Sequence, residues 1–285
     1  MLPDGYPPLS IYKQITNEST YVAMENFSDK FLQSNATILE NYAQRGTGDP
    51  LHTWSRGWEY MFVYERLTQM AQMQSCDIVK ILDAGSGLTF FPHFVATMHP
   101  NVSIQCFDRD PQLKISGEKL MDSRASAVSY SVQDISALTY TGASFDVIYS
   151  ISVLEHCDYN NYVEILEGFV GILKPGGRLL LTVDISLDGR SEITRYQCSK
   201  LIEHLEQCFV PDSEYAIMVD MFNESEILTT AYARKVDQSL LPWQSPRWHQ
   251  SLRHLVRHGR RPIVPFMHLT CFCMGWTLSS TSDSQ

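Results

Sequence analysis

The feature that most constrains this chain is the segment from Asp77 to Pro92, which reads DIVKILDAGSGLTFFP. Its first part is apolar and β-forming, as expected of a strand that is buried on both faces of a parallel sheet. Gly85 and Gly87 supply the backbone freedom for a tight turn beneath a ligand. Apolar residues then recur at helical spacing from Phe90 to Met98. The segment therefore predicts a strand, a nucleotide-binding glycine loop and a helix.

Four further strands are predicted after this loop, with helical stretches between them. They run over residues 103–107, 127–132, 145–150 and 179–184. After them we expect a helix over residues 193–209, a strand over 215–219 and a final apolar strand over 269–278. This alternation predicts an α/β fold with a doubly wound, mainly parallel sheet and helices on both faces. Asp108 ends the second strand, about twenty residues after the glycine loop, where a carboxylate can accept hydrogen bonds from both ribose hydroxyls.

Five motifs in this region resemble those of the class I S-adenosylmethionine-dependent methyltransferases. In order they are LDAGSG, FDRDP, QDIS, FDVIYSISVLEH and LKPGGRLLLT, and they span residues 77–185. The resemblance implies a Rossmann-like sheet of seven strands, S-adenosyl-L-methionine as cofactor, and transfer of its methyl group to an acceptor. Leu88 and Thr89 follow Gly87 where the family often has a third glycine, so this loop departs from the commonest form.

The resemblance also implies which residues bind the cofactor. Asp83 is expected near its amino acid moiety, the backbone of Gly85 and Gly87 beneath it, and Asp108 on its ribose. Further cofactor contacts are expected at the adenine and at the amino group, from Arg109, Asp134, Ile135, Ser150 and Ile151. Arg56 lies in an aromatic segment before the core, and its guanidinium can fork onto the methionine carboxylate.

A nicotinamide-dependent dehydrogenase is the rival interpretation, because it also uses a Gly-x-Gly loop and a downstream acid. Its fingerprint requires a third glycine three residues after the second, and position 90 is Phe. A dehydrogenase also has no use for Asp83 directly before the loop. The methyltransferase interpretation is therefore favoured.

Candidate catalytic residues follow the fourth strand, because ligands of open α/β sheets bind outside the carboxyl ends of the strands. His156 carries an imidazole, the side chain most often used to move protons in enzymes, and Asp158 lies two residues further on. We predict that His156 assists deprotonation of the acceptor. The alternative is that His156 packs or forms a local hydrogen bond.

We predict two parts of the chain: a helical extension over residues 1–70 and a cofactor-binding methyltransferase domain over residues 71–285, with an insertion at about 221–265. The extension is expected to form a lid over the cofactor. Trp54, Trp58 and Tyr60 either belong to that lid or simply pack their helix on the sheet. The insertion carries a run of arginines and histidines, which either presents cations to an anionic substrate or forms a solvated helix face.

Composition narrows the function further. The net charge of −10 gives no support for nucleic-acid binding, which usually needs a basic surface. Seven cysteines, an odd number scattered through predicted core elements, favour reduced thiols, and their spacing predicts no metal site. We find neither a secretion signal nor an apolar run of about twenty residues, so a cytoplasmic location without membrane contact is expected.

The leading prediction is a methyltransferase that acts on a small molecule with an oxygen, nitrogen or sulfur nucleophile. A protein or peptide acceptor is the first alternative. The second is a cofactor-binding regulator that resembles a methyltransferase but performs no turnover. The sequence indicates no oligomeric state.

Overall fold

The computed structural model describes residues 1–42, 51–52, 54–73, 77–120, 127–140, 142–189, 193–213, 222–236, 256 and 268–279. Within these residues the chain forms one central sheet with helices on both faces. The predicted α/β class is confirmed. In the described part of the chain, no helix is both long and apolar enough to cross a lipid bilayer.

Among the residues described before the first strand, four helices are present. They are α1 (Leu9–Ile15), α2 (Ser19–Ser34), α3 (Ala36–Tyr42) and α4 (Arg56–Met73). The helix α2 ends where Asn35 turns its side-chain amide back to the carbonyl of Phe31, at 3.0 Å. By contrast, the sequence of α4 is apolar on nearly every side, and twelve of its residues are buried. The helical character predicted for this region is present, whereas its role as a lid stays a prediction.

The sheet contains eight strands among the described residues. They are β1 (Val79–Ala84), β2 (Val102–Asp108), β3 (Val128–Val132), β4 (Phe145–Ile151), β5 (Leu173–Ser186), β6 (Ile193–Thr194), β7 (Phe209–Pro211) and β8 (Leu269–Leu278). Their order is β3-β2-β1-β4-β5-β8-β7, and β6 pairs with β5 beside this path. Only β8 runs antiparallel to its neighbours β5 and β7. The carboxyl ends of β1, β2, β4 and β5 therefore lie along one edge.

Alternating side chains of the central strands fill two cores. On one face Val147 and Tyr149 of β4 pack with residues of α2, α4 and α5 (Phe91–Met98). On the other face Ile148 packs with residues of α7 (Tyr162–Ile172) and α8 (Arg195–Leu205). The remaining helices are α6 (Gln112–Gly117), which contributes to the first core, and α9 (Thr230–Val236), which packs beside β8. Two-sided burial explains why these strands read as continuous apolar runs.

The structure differs from the sequence-based expectation after the fifth strand. Residues 193–209, expected to be one helix, begin with β6 and end at the start of β7. The hydroxyl of Thr194 accepts from the backbone N–H of Gln197, and this capping box starts α8 one residue later. The ordered path of the sheet contains seven strands, the predicted number, and β6 adds a two-residue pairing beside it. The strand predicted at residues 215–219 and most of the insertion, including its basic run, lie outside the described residues.

Candidate functional site

The loop after β1 makes the sharp turn that its two glycines predict. Gly85 and Gly87 have φ angles of 75° and 52°, in the left-handed region that favours glycine. The backbone N–H groups of Gly85 and Ser86 both donate to the carbonyl of Phe107, at 2.9 Å. A Cβ on Gly85 would lie 2.6 Å from Cγ1 of Val153, which follows β4. The loop is therefore fixed closely between the ends of β2 and β4.

A cavity of about 240 Å³ opens at this edge of the sheet. Its lining comes from the ends of β1, β2 and β4 and from the first turn of α4, and consists of Arg56, Tyr60, Asp83, Gly85, Ser86, Gly87, Thr89, Phe91, Asp108, Tyr149, Ile151 and Ser152. A Cβ on Gly87 would meet nothing within 4 Å, so this glycine faces open space. Six of the residues predicted to bind a cofactor thus surround one cavity.

Asp108 lies at the β2 end of this cavity. Its Oδ2 accepts from the backbone N–H of Gly87 at 3.2 Å, and its Oδ1 accepts from the N–H of Asp110 at 3.0 Å. Tyr42 of α3 lies close by, and burial together with the negative charge of Asp108 raises the pKa of this tyrosine. The glycine loop and the turn after β2 therefore set the direction of the Asp108 carboxylate.

Asp83 lies at the floor of the cavity and is only 4% exposed. The hydroxyl of Tyr149 donates to its Oδ2 at 2.8 Å. Burial, and then the negative charge of Asp108, raise the pKa of Asp83 to about 8 despite this hydrogen bond. A positive charge placed in the cavity would favour the ionised form of Asp83.

Arg56, in the first turn of α4, lines another wall of the cavity, and Glu59 lies behind it. Nη1 of Arg56 donates to Oε2 of Glu59 at 2.5 Å and also to Oγ of Ser152. Burial alone would lower the pKa of Arg56, but the carboxylates of Glu59 and Asp184 hold it above its usual value. The side chain of Arg56 remains 24% exposed and lines the cavity. It is therefore a fixed positive charge next to the cavity.

Glu59 is fully buried and is bonded by several donors besides Arg56. The hydroxyl of Thr182 in β5 donates to Oε1 at 2.5 Å, that of Ser152 to Oε1 at 2.7 Å, and that of Ser55 to Oε2 at 2.8 Å. Burial would raise the pKa of Glu59, but Arg56 and these hydroxyls lower it. Glu59 therefore joins α4 to the carboxyl ends of β4 and β5.

The two serines that bond Glu59 are also the two described non-glycine residues with positive φ, 56° for Ser55 and 50° for Ser152. Such a conformation costs on the order of 1 kcal/mol or more and persists only where the surroundings enforce it. Both hydroxyls point at one buried carboxylate, so the Glu59 hydrogen bonds offset this strain.

Four residues predicted to bind the cofactor lie outside the described lining of the cavity. The side chain of Ser150 is buried and donates to the carbonyl of Ala84, at 2.9 Å. Asp134 is exposed, and its carboxylate accepts from the N–H and the hydroxyl of Ser136, which lowers its pKa. The other two are Arg109, which is exposed, and Ile135, which is half-buried. Their role at the adenine stays a prediction.

The two predicted catalytic residues lie just beyond β4, in exposed turns. His156 ends a short 3-10 helix, Leu154–His156, and its side chain is exposed. Asp158 caps the next turn, where its carboxylate accepts from the backbone N–H of Asn160 at 3.0 Å. Neither belongs to the described cavity lining. Their part in catalysis stays a prediction.

The aromatic residues around Arg56 have separate roles. Trp58 is completely buried in the core beside the sheet, whereas Tyr60 is buried and also lines the cavity. The indole N–H of Trp54 donates to Oδ1 of Asp184 at 3.1 Å. Packing therefore accounts for Trp58, and Trp54 joins the carboxylates at the end of β5.

Sequence analysis missed Glu59, Glu155 and Asp184, which meet at the ends of β4 and β5. One signal was available: Glu59 is a lone acid in the otherwise apolar and aromatic run GWEYMFVY. A charge in such a run indicates a buried partner. Glu155 gave no separate signal, because the histidine after it drew the catalytic prediction.

Residues 81–177 match the family model described as a methyltransferase domain, which spans about a third of the chain. No curated protein matches the sequence. The matched residues run from β1 to the start of β5 and include Asp83, the glycine loop and Asp108.

Several solved structures resemble this one. A protein provisionally described as a sarcosine dimethylglycine methyltransferase, from Galdieria sulphuraria, is 18% identical, with a TM-score of 0.49 and coverage of 77% of this chain and 86% of that chain. The N-methyltransferase NodS from Bradyrhizobium japonicum, in complex with S-adenosyl-L-homocysteine, is 18% identical, with a TM-score of 0.42 and coverage of 63% and 88%. The O-methyltransferase of a polyketide synthase from Brevibacillus brevis is 14% identical, with a TM-score of 0.43 and coverage of 76% and 72%.

Proposed function

We propose that this chain is a class I S-adenosylmethionine-dependent methyltransferase that transfers a methyl group to a small-molecule acceptor. The match of residues 81–177 to the methyltransferase-domain model supports this proposal. The observation that carries this proposal is the cavity that joins the glycine loop, Asp83 and Asp108 to Arg56. Its aromatic walls, Tyr60 and Phe91 among them, support an acceptor of small size.

The residues present fit this cofactor. Gly87 leaves open space where any other residue would place a Cβ, and the Asp108 carboxylate beside it can accept from ribose hydroxyls. Arg56 supplies a fixed positive charge for the methionine carboxylate, while Asp83 can lose its proton and pair with the positively charged amino group when that group binds. These four residues therefore match the charged and polar groups of the cofactor one by one.

When bound, the cofactor supplies a sulfonium methyl group, which passes to the acceptor nucleophile as the carbon–sulfur electron pair stays on sulfur. The chain then has to orient the acceptor and exclude water, and such orientation can lower a barrier by ~7 to 11 kcal/mol. The buried aromatic residues Tyr60, Phe91 and Tyr149 are suited to excluding water from the cavity. We also retain His156, with Asp158 near it, as the proposed group that assists removal of the acceptor's proton.

Calorimetry with S-adenosyl-L-methionine and its demethylated product tests the cofactor assignment. We expect both to bind, and we expect Asp108→Ala to weaken binding by roughly 1 to 3 kcal/mol, the cost of leaving polar ligand atoms without a partner. Glu118→Ala, an exposed residue beyond α6, is the matched control and should bind like the wild type. Absence of binding to the wild-type chain would overturn the proposal.

Incubation with methyl-labelled cofactor and cell-extract fractions sorted by molecular mass tests the acceptor class. We expect the label in the low-mass fractions. Label in protein fractions would instead establish a protein or peptide acceptor. Binding without labelling of any fraction would support a regulator without turnover.

A further inference from the structure

Three carboxyl groups converge beyond the Arg56 wall of the cavity. Glu59 comes from α4, Glu155 from the turn after β4, and Asp184 from the end of β5. The charges of Asp184, Arg56 and Glu59 all act on the carboxyl group of Glu155, so this group lies within the same cluster. Glu59 is already bonded to Arg56 and to three hydroxyl groups.

Glu155 differs from Glu59 because only one of its two carboxyl oxygens accepts a hydrogen bond from the described residues. Its Oε1 accepts from the backbone N–H of Asp184 at 3.2 Å. Its Oε2 is buried, and no described residue donates a hydrogen bond to it. The residue is only 9% exposed, and a buried oxygen without a donor costs on the order of 1 to 3 kcal/mol. A ligand that donates to Oε2 would remove this cost.

The surroundings of Glu155 favour a positively charged donor. Burial and the neighbouring charge of Asp184 raise the pKa of Glu155 well above its usual range. Asp184 itself accepts from the indole of Trp54, which brings an aromatic ring to the same group. A cation placed here would be attracted by two carboxyl groups and could lie against an aromatic side chain.

This cluster of three carboxyl groups lies next to the cavity, at the end opposite to Asp108. Ser152 lines the cavity and bonds Glu59, and Glu155 follows it three residues later. Asp108 stands at the end of β2, whereas Asp184 stands near the end of β5, and β1 and β4 lie between these strands. The cluster therefore lies on the β5 side of the Arg56 and Ser152 lining, away from the glycine loop and Asp108.

We propose that Glu155, with Asp184 beside it, binds the ammonium group of the methyl acceptor, so that the acceptor is an amine. This inference rests on the proposed function and names the substrate class of the same site. The ammonium group favours the ionised form of Glu155 and donates to its Oε2. One proton then passes to this carboxylate, which for an amine replaces His156 as the group that takes the acceptor's proton, and the nitrogen lone pair becomes available. A carboxylate or phenolate acceptor would be repelled by the same two carboxyl groups.

The test is a thermal-shift screen of the chain with S-adenosyl-L-homocysteine bound, against primary and secondary amines, each paired with an alcohol of matching shape. We expect compounds that raise the Tm to be amines, and calorimetry of these compounds to show at least tenfold weaker binding to Glu155→Gln. Asp184→Asn is the second variant and should weaken the same amines. The matched control is Glu164→Gln, an exposed carboxylate on α7, which should leave amine affinity unchanged.

Three results would overturn the inference: alcohols stabilise the chain as well as amines, no amine raises the Tm, or Glu155→Gln binds amines like the wild type. Undiminished binding of S-adenosyl-L-homocysteine to Glu155→Gln shows that the variant is folded. Failure of the wild type to bind S-adenosyl-L-homocysteine would instead remove the proposed function. If the wild type bound S-adenosyl-L-homocysteine but methylated only hydroxyl compounds, the proposed function would stand and the amine acceptor would be wrong.

Discussion

Asp83 connects the binding of a charged ligand to the uptake and release of a proton. Its pKa of about 8 means that the carboxyl group holds its proton at pH 7 in the structure described. A ligand with a positively charged amino group or sulfonium favours the carboxylate, so binding at pH 7 should release a proton. We expect cofactor affinity to rise as the pH increases from 6 to about 8 and then to level off. Calorimetry at pH 7 in phosphate and in Tris measures the released proton.

Asp83→Asn is the matched variant, because its side-chain oxygen can still accept from Tyr149. It should release less proton and show a flatter dependence of affinity on pH. Because Asp83 has a higher pKa in the folded chain, its stabilising contribution is complete below the unfolded pKa of about 4 and is lost as the pH rises towards 8. The unfolding free energy of Asp83→Asn should therefore fall less over this range. Equal proton release by both chains would contradict the assignment.

Sequence indicated the acids that line the cavity, Asp83 and Asp108, better than the acids that lie behind its lining. Asp83 and Asp108 each follow an apolar strand, and this local pattern is visible in the chain. Glu59 and Thr182 are 123 residues apart, and their contact depends on how α4 packs on the sheet. Such a pairing leaves only an indirect trace, an acid inside an apolar run.

At the scale of elements, the glycine loop is held by the segment that follows β4. Gly85→Ala would force a left-handed φ on alanine and would place its Cβ 2.6 Å from Val153. We expect the unfolding free energy to fall by roughly 2 to 5 kcal/mol, because backbone strain and overpacking against Val153 both contribute. Urea unfolding measures this loss, and cofactor affinity should fall with it because the loop shifts.

Gly142→Ala is the matched control for backbone strain alone. Gly142 has a φ of 67°, but a Cβ there would meet nothing within 4 Å, so roughly 1 to 2 kcal/mol is expected. Adding Val153→Ala to Gly85→Ala should recover the steric part of the loss. If the two glycine variants were equally destabilised, contact with Val153 would not be the reason for Gly85.

Strands were predicted more accurately than the ends of helices. The apolar runs of β2, β4 and β8 are bounded within one residue of the strands in the structure, as for Leu269–Leu278, whereas β5 begins at Leu173, six residues earlier than expected. The predicted helix began too early and ended too late compared with α8. Its start is decided by the hydrogen bonds of the Thr194 cap, and its end by the pairing of β7 with β8. Periodicity does not contain that information.

At the scale of the whole molecule, the first residues of the chain are fixed to its last strand. Gly5 forms a bridge with Cys273 of β8, and Oδ1 of Asp4 accepts from the N–H of Gly275 at 2.8 Å. These contacts join residues about 270 positions apart, and no local pattern predicts them. Asp4 also pairs with Arg66 of α4. The N-terminal segment therefore supports the helix that brings Arg56 to the cavity.

The buried ion pair between Asp4 and Arg66 holds this arrangement together. The two side chains are each 4% exposed, their charged atoms are 3.1 Å apart, and Arg66 also donates to the carbonyl of Leu2. Asp4→Ala would leave a buried guanidinium without its carboxylate, and we expect a loss of ~3 to 5 kcal/mol in unfolding free energy. Asp4→Ala combined with Arg66→Met removes both charges and should be less destabilised than Asp4→Ala alone, as measured by urea unfolding. If the double variant were the less stable of the two, the arginine would be contributing through its packing on Phe62, whose ring centroid lies 3.5 Å from Cζ of Arg66, and not through its charge.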